Sequence, residues 1–246
     1  MFIDVHCHLD FFKSVEISRV IENAKKRKLS IILANGNNYE SNEKVLELSS
    51  KYNMVKAALG LYPIDALNVP EKVSKTLSQI KSNKDKILAV GEVGMDFKES
   101  EEKEKQKIIF CKIIELAKEI KKTLIVHSRK AEADCIDLLE KLKATKIVMH
   151  CFSGKLKLVE RIVENNWTIS IPACVVHSEH FQRVISLVPI ENLLCETDSP
   201  YLHPFREFPN EPANVIESYK KIAEIKKLSL NEVEEIIENN FKRIFV

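Results

Sequence analysis

Residues 2–10 read FIDVHCHLD, a short apolar run that ends on two histidines. A near-continuous apolar run is typical of a parallel strand that is covered on both faces. His6 and His8 are two positions apart, so their imidazoles point to the same side of such a strand. The stretch therefore predicts a buried strand that presents two imidazoles together at its carboxyl end.

Seven further segments repeat this pattern and alternate with segments that have the apolar period of a helix. The eight predicted strands cover residues 2–8, 30–36, 55–60, 87–94, 123–128, 146–152, 167–173 and 193–199. Eight alternations at roughly 30-residue spacing favour a closed parallel barrel over an open sheet. Two more helical patterns follow, and Ser229 with Glu232 forms a capping box before the second. We predict one α/β domain over residues 1–246, a (β/α)8 TIM barrel with a C-terminal helix extension.

The composition of the 246 residues is that of a globular protein, with 45% hydrophobic and 30% charged residues, and it excludes a disordered chain. The 38 basic and 36 acidic residues leave a net charge of +2. This balance excludes a strongly basic architectural protein that coats nucleic acid. An enzyme that acts on nucleic acid stays open, because bound metal ions supply local positive charge.

The six cysteines form no CxxC pair, and most lie in apolar runs such as VMHCF at 148–152. This usage predicts reduced core cysteines in a reducing compartment. The acid at position 4 argues against a signal peptide, and no apolar run approaches the length of about 18 residues that a membrane span needs. We expect a cytoplasmic protein with no membrane contact and no obligate protein partner, either a monomer or a weak oligomer.

Histidines and acids gather at the carboxyl ends of the predicted strands. Six of them end strands one, four, five, six and eight: His6, His8, Glu92, His127, His150 and Asp198. A closed barrel places strand eight beside strand one, so these side chains converge on one mouth. Imidazole and carboxylate groups suit divalent metal ions. Six ligands exceed the need of one ion, so we expect two (Mg²⁺, Mn²⁺ or Zn²⁺), about 3.5–4 Å apart and bridged by Glu92.

Five motifs resemble those of the TatD-type metal-dependent nucleases, a family within the amidohydrolase superfamily. They are FIDVHCHLD at 2–10, VGEVGMD at 90–96, VHSR at 126–129, HCFSG at 150–154 and ETDSPYL at 196–202. The first motif alone is typical of the whole superfamily, whereas the five in this order are specific and extend over essentially the whole chain. The resemblance implies a barrel hydrolase that cleaves phosphodiester bonds of DNA, usually from a 3′ end as a 3′–5′ exonuclease.

The resemblance also implies how the ligands are shared between two ions. One ion takes His6, His8, Glu92 and Asp198, and the other takes Glu92, His127 and His150. We expect Asp198 and Glu92 to be the catalytic residues, with Asp198 holding the attacking water and accepting its proton. Asp4 is expected to support the ligands rather than to take part in the chemistry. Asp96 is expected either to support the ligands or to hold the structure of its loop.

Four residues near the mouth are candidates for binding substrate: Arg129, Ser153, His203 and Arg206. The planar guanidinium of Arg129, just past His127, suits a phosphate. Two positions depart from the family pattern. Tyr62 stands where the family usually has histidine, and Pro209 stands where an arginine often precedes the Asn-Glu-Pro that occurs here at 210–212. Both changes affect the expected substrate more than the expected mechanism, and Arg206 lies near enough to replace the missing arginine.

Two other kinds of function stay open. An amidohydrolase or esterase for a small cyclic amide, a phosphotriester or an aminoacyl-RNA ester would use the same site. Many such enzymes bridge their metals with a modified lysine on strand four, so Glu92 at this position favours the TatD-like branch. A metal-binding scaffold with little turnover is the second alternative, although the complete set of ligand residues counts against it. The sequence contains none of GxGxxG, GxxxxGK[ST] and GxSxG, which disfavours a nucleotide-cradling enzyme and a serine hydrolase.

Overall fold

A computed structural model describes the backbone of residues 1–246 and the side chains of all of them except Ser14 and Val15. The described backbone forms one sheet of eight parallel strands, each paired with the next in chain order. The strands are β1 (Phe2–Cys7), β2 (Leu29–Asn35), β3 (Val55–Leu61), β4 (Ile87–Gly94), β5 (Thr123–His127), β6 (Ile147–His150), β7 (Thr168–Pro172) and β8 (Leu193–Glu196). The predicted TIM barrel is confirmed, and every strand begins within one residue of its predicted start.

Helices cover the outside of the barrel between successive strands, and two more helices follow β8. They are α1 (Ser14–Lys26), α2 (Tyr39–Lys51), α3 (Pro63–Asn68), α4 (Val73–Ser82), α5 (Lys103–Glu119), α6 (Glu132–Lys141), α7 (Lys157–Glu164), α8 (Glu179–Leu187), α9 (Ile216–Lys226) and α10 (Leu230–Phe245). The apolar side chains of the strands pack beneath them, and Val5, Leu33, Leu59 and Val148 are fully buried. Burying each such side chain is worth about 1.5–3 kcal/mol, so the sheet is the core of the molecule. Among the described residues, no helix combines the length and apolarity needed to cross a membrane.

Backbone hydrogen bonds close the barrel at its carboxyl end, beyond the last strand. β8 ends at Glu196, so it is shorter than the predicted strand over 193–199. The next residues still reach β1: Asp198 N donates to His6 O at 2.9 Å, and His8 N donates to Ser199 O at 2.7 Å. Asp198 therefore does not end a strand as predicted but lies in the segment that follows it, held against the end of β1.

Side chains close the seam between β1 and β8 at a lower level in the barrel as well. The buried carboxylate of Asp4 accepts from the backbone N and the hydroxyl of Thr197, at 3.0 and 2.6 Å. It also accepts from His6 N at 3.1 Å, which agrees with the expectation that Asp4 supports the ligands. Below it, the Tyr219 hydroxyl of α9 bonds both the N and the O of Ile3, at 3.0 and 3.2 Å. These side chains satisfy backbone groups of β1 that have no backbone partner across the seam.

The last helix, α10, crosses the amino ends of the strands. Asn240 Nδ2 donates to Ile190 O at 2.7 Å and to Leu193 O at 2.9 Å, at the start of β8. One turn further along the helix, Ile244 O accepts from the hydroxyl of Thr123, the first residue of β5, at 2.5 Å. Because β5 and β8 lie on different sides of the barrel, α10 spans its bottom. The predicted capping box of α10 is confirmed.

Candidate metal centre

The six predicted ligands meet in one cavity at the carboxyl ends of the strands. The cavity has a volume of about 760 Å³ and is lined by His8, Glu92, His127, His150 and Asp198. His6 lies directly beneath, fully buried, with its ring stacked at 3.7 Å on that of His150. The structure thus brings together side chains from the ends of four strands and from the segment after β8, up to 192 positions apart in the chain.

One group of three donor atoms lies between β1 and the segment after β8. His6 Nε2 and His8 Nε2 are 3.3 Å apart. Asp198 Oδ1 lies 3.3 Å from the first and 3.6 Å from the second. Asp198 reaches this point from a left-handed backbone conformation with φ of 54°, which costs a non-glycine residue about 1–2 kcal/mol. The two backbone bonds across the seam hold it there.

A second group of three lies between β4, β5 and β6. Glu92 Oε1 is 2.7 Å from His127 Nδ1 and 3.6 Å from His150 Nε2. The other carboxylate oxygen, Oε2, turns to the first group and lies 3.4 Å from His8 Nε2. Glu92 therefore presents one oxygen to each group, and each group has the size of a site that could hold a metal ion.

Hydrogen bonds to the second ring nitrogen orient two of the imidazoles. His8 Nδ1 donates to Asn35 O at 3.1 Å, since a carbonyl oxygen can only accept. His127 Nε2 donates to Asp96 Oδ2 at 2.9 Å. With a metal ion bound, each bond would leave the lone pair on the nitrogen that faces the cavity, which is the tautomer a metal ligand needs. Tyr62, at the position that departs from the family pattern, donates to the same Asp96 oxygen at 2.7 Å.

Glu196 plays the same part for a third imidazole, and the sequence analysis did not single it out. It is fully buried, lies within hydrogen-bond distance of His150 Nδ1 at 3.0 Å and accepts from the Ser170 hydroxyl at 2.5 Å. The signal that could have identified it is its place at the end of β8, inside the motif that contains Asp198. The remaining imidazole, His6, has a buried Nδ1 with no hydrogen-bond partner among the described residues.

The charges of the cluster favour a bound cation. Burial would raise the pKa of Glu92, but the charge and hydrogen bond of His127 hold it well below its usual range. Burial likewise opposes ionisation of Asp198, yet hydrogen bonds from His6 and His8 keep its pKa low. Two ionised carboxylates and four imidazoles are a donor set that suits divalent ions, and its nitrogen content favours Zn²⁺ or Mn²⁺ over Mg²⁺.

Two glycines let the strands approach closely enough to build this cluster. A Cβ on Gly60 of β3 would lie 2.3 Å from the backbone N and O of Glu92. A Cβ on Gly94 would lie 2.0 Å from His127 O, and Gly94 has a φ of +139° that other residues rarely adopt. Any side chain at either position would push β4 away from its neighbours and displace Glu92 or His127.

The four predicted substrate-binding residues lie in two different places. Arg129 and Ser153 line the cavity. Arg129 is half exposed at the rim and donates to Glu99 at 2.9 Å, so its guanidinium already faces a carboxylate. His203 and Arg206 are not among the described residues that line the cavity, and they lie in the segment beyond Asp198. His203 Nδ1 accepts from the backbone N of Phe205, so that nitrogen shapes the segment.

Comparison with known proteins places these observations in a family. A family model described as TatD related DNase matches residues 3–246. An uncharacterized metal-dependent hydrolase of Methanocaldococcus jannaschii is 36% identical over 247 residues, which cover 99% of this chain and 96% of that protein. Deoxyribonuclease TATDN3 of Homo sapiens is 34% identical over 259 residues, which cover 99% of this chain and 94% of that protein.

A solved structure has the same fold. The crystal structure of YJJV, a TatD homologue from Escherichia coli, superposes with a TM-score of 0.90 at 28% sequence identity, covering 99% of this chain and 97% of that one. The match includes the barrel and the helices that follow its last strand. On the family model, the relatives and this fold, the chain belongs to the TatD family of metal-dependent hydrolases.

Proposed function

We propose that the protein is a deoxyribonuclease that uses two divalent ions to hydrolyse phosphodiester bonds at the 3′ end of DNA. The observation that carries the proposal is the carboxylate of Glu92, which presents one oxygen to each of two groups of buried donor atoms. A bridging carboxylate between two sites is typical of hydrolases that act on phosphate esters. The human relative, named a deoxyribonuclease, supports DNA as the substrate class.

The residues divide into two sets of ligands. His6, His8 and Asp198 would hold one ion, His127 and His150 the other, and Glu92 would serve both. When bound, divalent ions supply Lewis acidity, which acidifies water and offsets the charge of a phosphodiester. The ionised Asp198 lines the cavity, so it is placed to accept the proton of the attacking water. Glu92 contributes by fixing the position of one set of ligands relative to the other.

The cavity residues outside the cluster orient the substrate. Arg129 exchanges its partner Glu99 for a phosphate oxygen, to which its planar fork is better matched. The Ser153 hydroxyl makes only a long contact of 3.4 Å with Glu132, so it is available to donate to a second phosphate oxygen. Arg206 and His203 contact the chain of nucleotides farther out, beyond the cavity. Asp96 and Tyr62 act through His127, whose ring they hold in place.

One observation favours a second candidate, the hydrolysis of a small neutral ester or amide. Asp65 and Glu99 line the cavity together with Arg129, so its rim is not uniformly basic. A polyanion gains less from such a rim than from a basic one, because its affinity depends on charge neutralisation. The binding of a small neutral substrate would not be weakened by the acidic residues of the rim.

The deciding experiment is hydrolysis of a single-stranded oligonucleotide by protein stripped with a chelator. Mg²⁺, Mn²⁺ and Zn²⁺ are added back separately, with label at either the 3′ or the 5′ end. We expect metal-restored cleavage that shortens the 5′-labelled strand stepwise, and two bound ions per chain by elemental analysis. His6→Ala is the control for metal dependence. Turnover of small esters or amides without cleavage of DNA would replace this proposal with the second candidate.

We propose a reducing compartment, the cytoplasm, and a monomer or weak oligomer as the working form. All six cysteines are free thiols in the structure. Burial raises the pKa of Cys7, Cys135 and Cys195 well above the usual range, so these thiols are unreactive core groups. A full count of six titratable thiols in unfolded protein purified without reductant would support this, and intramolecular disulfides would contradict it.

A further inference from the structure

Exposed aromatic side chains concentrate at the mouth of the barrel. Among the described residues, the exposed aromatics are Phe11, Tyr201, Phe205 and Phe208. They belong to only two segments, one after β1 and one after β8, and these segments flank the metal centre. Exposed apolar groups that cluster in this way mark binding surfaces, whereas isolated ones need no explanation.

Three of these rings form a continuous path that starts at a metal-ligand candidate. Phe11 stacks on the His8 ring at 5.0 Å with an interplanar angle of 17°. Tyr201 meets Phe11 edge-on at 6.3 Å, and Phe208 follows Tyr201 at 6.4 Å. Phe11 and Tyr201 line the cavity, and Phe208, which is 73% exposed, lies at the outer end. The path therefore runs from the site of the chemistry to solvent.

Internal hydrogen bonds hold both segments that carry the path. Asn210 Nδ2 donates to Thr197 O at 3.0 Å and to Tyr201 O at 2.7 Å, which ties the second segment to the end of β8. The first segment contains a short 3-10 helix in which Asp10 accepts from the Ser41 hydroxyl at 2.7 Å. The rings are thus presented in a fixed arrangement, and little ordering is required when a ligand binds.

We propose that Phe11, Tyr201 and Phe208 form a stacking subsite for the unpaired bases next to the scissile phosphate of single-stranded DNA. The proposal rests on the proposed nuclease function and extends it from DNA in general to single-stranded ends. Every base has a π-face, so aromatic stacking binds single strands with little sequence preference. The bases of a duplex are stacked and paired with each other, and they cannot use the path until the end frays.

The charges beside the path fit a nucleotide chain better than a protein or lipid partner. Arg206 is exposed in the same segment, between Phe205 and Phe208, where it can contact the phosphates outside the cavity. The one carboxylate beside it in sequence, that of Glu207, lies 4.0 Å from His203 Nε2. The path leads into the cavity, where Arg129 and Ser153 can donate hydrogen bonds to a phosphodiester. Phosphate contacts and base stacking thus follow one line on the surface.

The test compares two oligonucleotides of equal length, one normal and one with abasic sites at the three positions next to the scissile phosphate. The ratio of their kcat/KM values isolates the contribution of the bases, because both carry the same phosphates. We expect wild-type protein to prefer the normal strand, and Tyr201→Ala and Phe208→Ala each to reduce the ratio roughly 5- to 100-fold. Phe208→Leu, which keeps apolar area but lacks the ring, should behave as Phe208→Ala does.

Leu187→Ala is the matched control, since Leu187 is 57% exposed at the end of α8 and belongs to no aromatic cluster. It should leave the ratio at its wild-type value. Equal kcat/KM for both strands in wild-type protein would overturn the stacking subsite while the nuclease function stands. A change in oligomeric state on gel filtration with an unchanged ratio would identify the aromatic surface as a contact between copies and would overturn it as well.

A binding measurement decides the proposal even if no DNA is cleaved. Fluorescence anisotropy of the same two labelled strands is recorded with Asp198→Asn protein, which keeps the aromatic path. Tighter binding of the normal strand, weakened by Tyr201→Ala, supports the subsite whatever bond the enzyme cleaves. Equal affinity for the two strands contradicts it. Absence of metal-dependent cleavage of both strands would count against the proposed function alone.

Discussion

The two ends of the barrel are built in opposite ways. At the carboxyl end, ionisable groups are buried together, and Asp198 adopts a left-handed backbone conformation. At the amino end, α10 covers the strands with apolar residues such as Phe241 and Ile237, and its Asn240 satisfies two backbone carbonyls. Buried charges cost free energy, whereas buried apolar surface supplies it. The proposed chemistry and the stability are thus assigned to different ends of one fold.

This separation predicts that single substitutions will affect activity at one end and stability at the other. The largest effect is expected for Asp198→Asn, because the variant would lose a proposed metal ligand and the proposed proton acceptor. We expect kcat to fall about 1000-fold or more, with the thermal unfolding midpoint within a few degrees of wild type. Cleavage assays and circular dichroism measure the two quantities.

Asp137→Asn is the matched control for this variant, since Asp137 is an exposed carboxylate on α6 that pairs with Arg161. It should keep wild-type turnover and stability. Near-normal turnover of Asp198→Asn would remove Asp198 from the mechanism and leave its role structural.

The converse effect is expected at the amino end for Phe241→Ala. Phe241 is 3% exposed and packs its ring 4.9 Å from that of Phe245. Truncating a buried phenylalanine costs about 3–5 kcal/mol, so chemical denaturation should show a clear loss of stability. The kcat of the molecules that remain folded should not change. Phe205→Ala, at an exposed aromatic, should alter stability by less than about 0.5 kcal/mol. A lowered kcat in Phe241→Ala would show that the two ends are coupled.

A smaller effect is expected for Glu196→Gln, which tests whether this residue positions His150. The amide keeps the size of the side chain, but it accepts a hydrogen bond less strongly than a carboxylate. Loss of such a partner typically reduces metal affinity or activity by about 10- to 100-fold. Competition with a chelating dye measures the affinity directly, separately from turnover. Ser170→Ala removes the other partner of Glu196 and should have a weaker effect of the same kind. Unchanged metal affinity in both variants would show that His150 is held by packing alone.

The smallest effect is expected for Tyr62→Phe. The substitution removes the hydrogen bond to Asp96 and keeps the ring that lies 5.0 Å from His127. A typical hydrogen bond contributes about 0.5–1.5 kcal/mol, so kcat/KM should fall less than about tenfold. Tyr62→His, which restores the residue type usual in the family, should change the preference between substrates more than the rate. A loss larger than 100-fold in Tyr62→Phe would place the phenol in contact with the reacting groups.

Most of the barrel and the six-residue cluster could be predicted from the sequence. The strand starts agree because apolar runs of this length and spacing have few other stable arrangements. The six residues of the cluster lie close together because the barrel closes and brings β8 beside β1. The length of β8 was overestimated, since the run through Asp198 looks like a strand locally but leaves the sheet after Glu196. No local pattern marks this exit, because the bonds that cause it come from β1.

The number and order of the strands, the residue types at their ends and the capping box before α10 can all be predicted from the sequence alone. These features depend on periodicity and on neighbours a few positions apart. Tertiary packing, in contrast, sets which Glu92 oxygen faces which donor atoms, which groups orient the imidazoles, and where α10 lies. The bond between Thr123 and Ile244 joins residues 121 positions apart. Such contacts depend on how the closed barrel packs, and no stretch of chain encodes them alone.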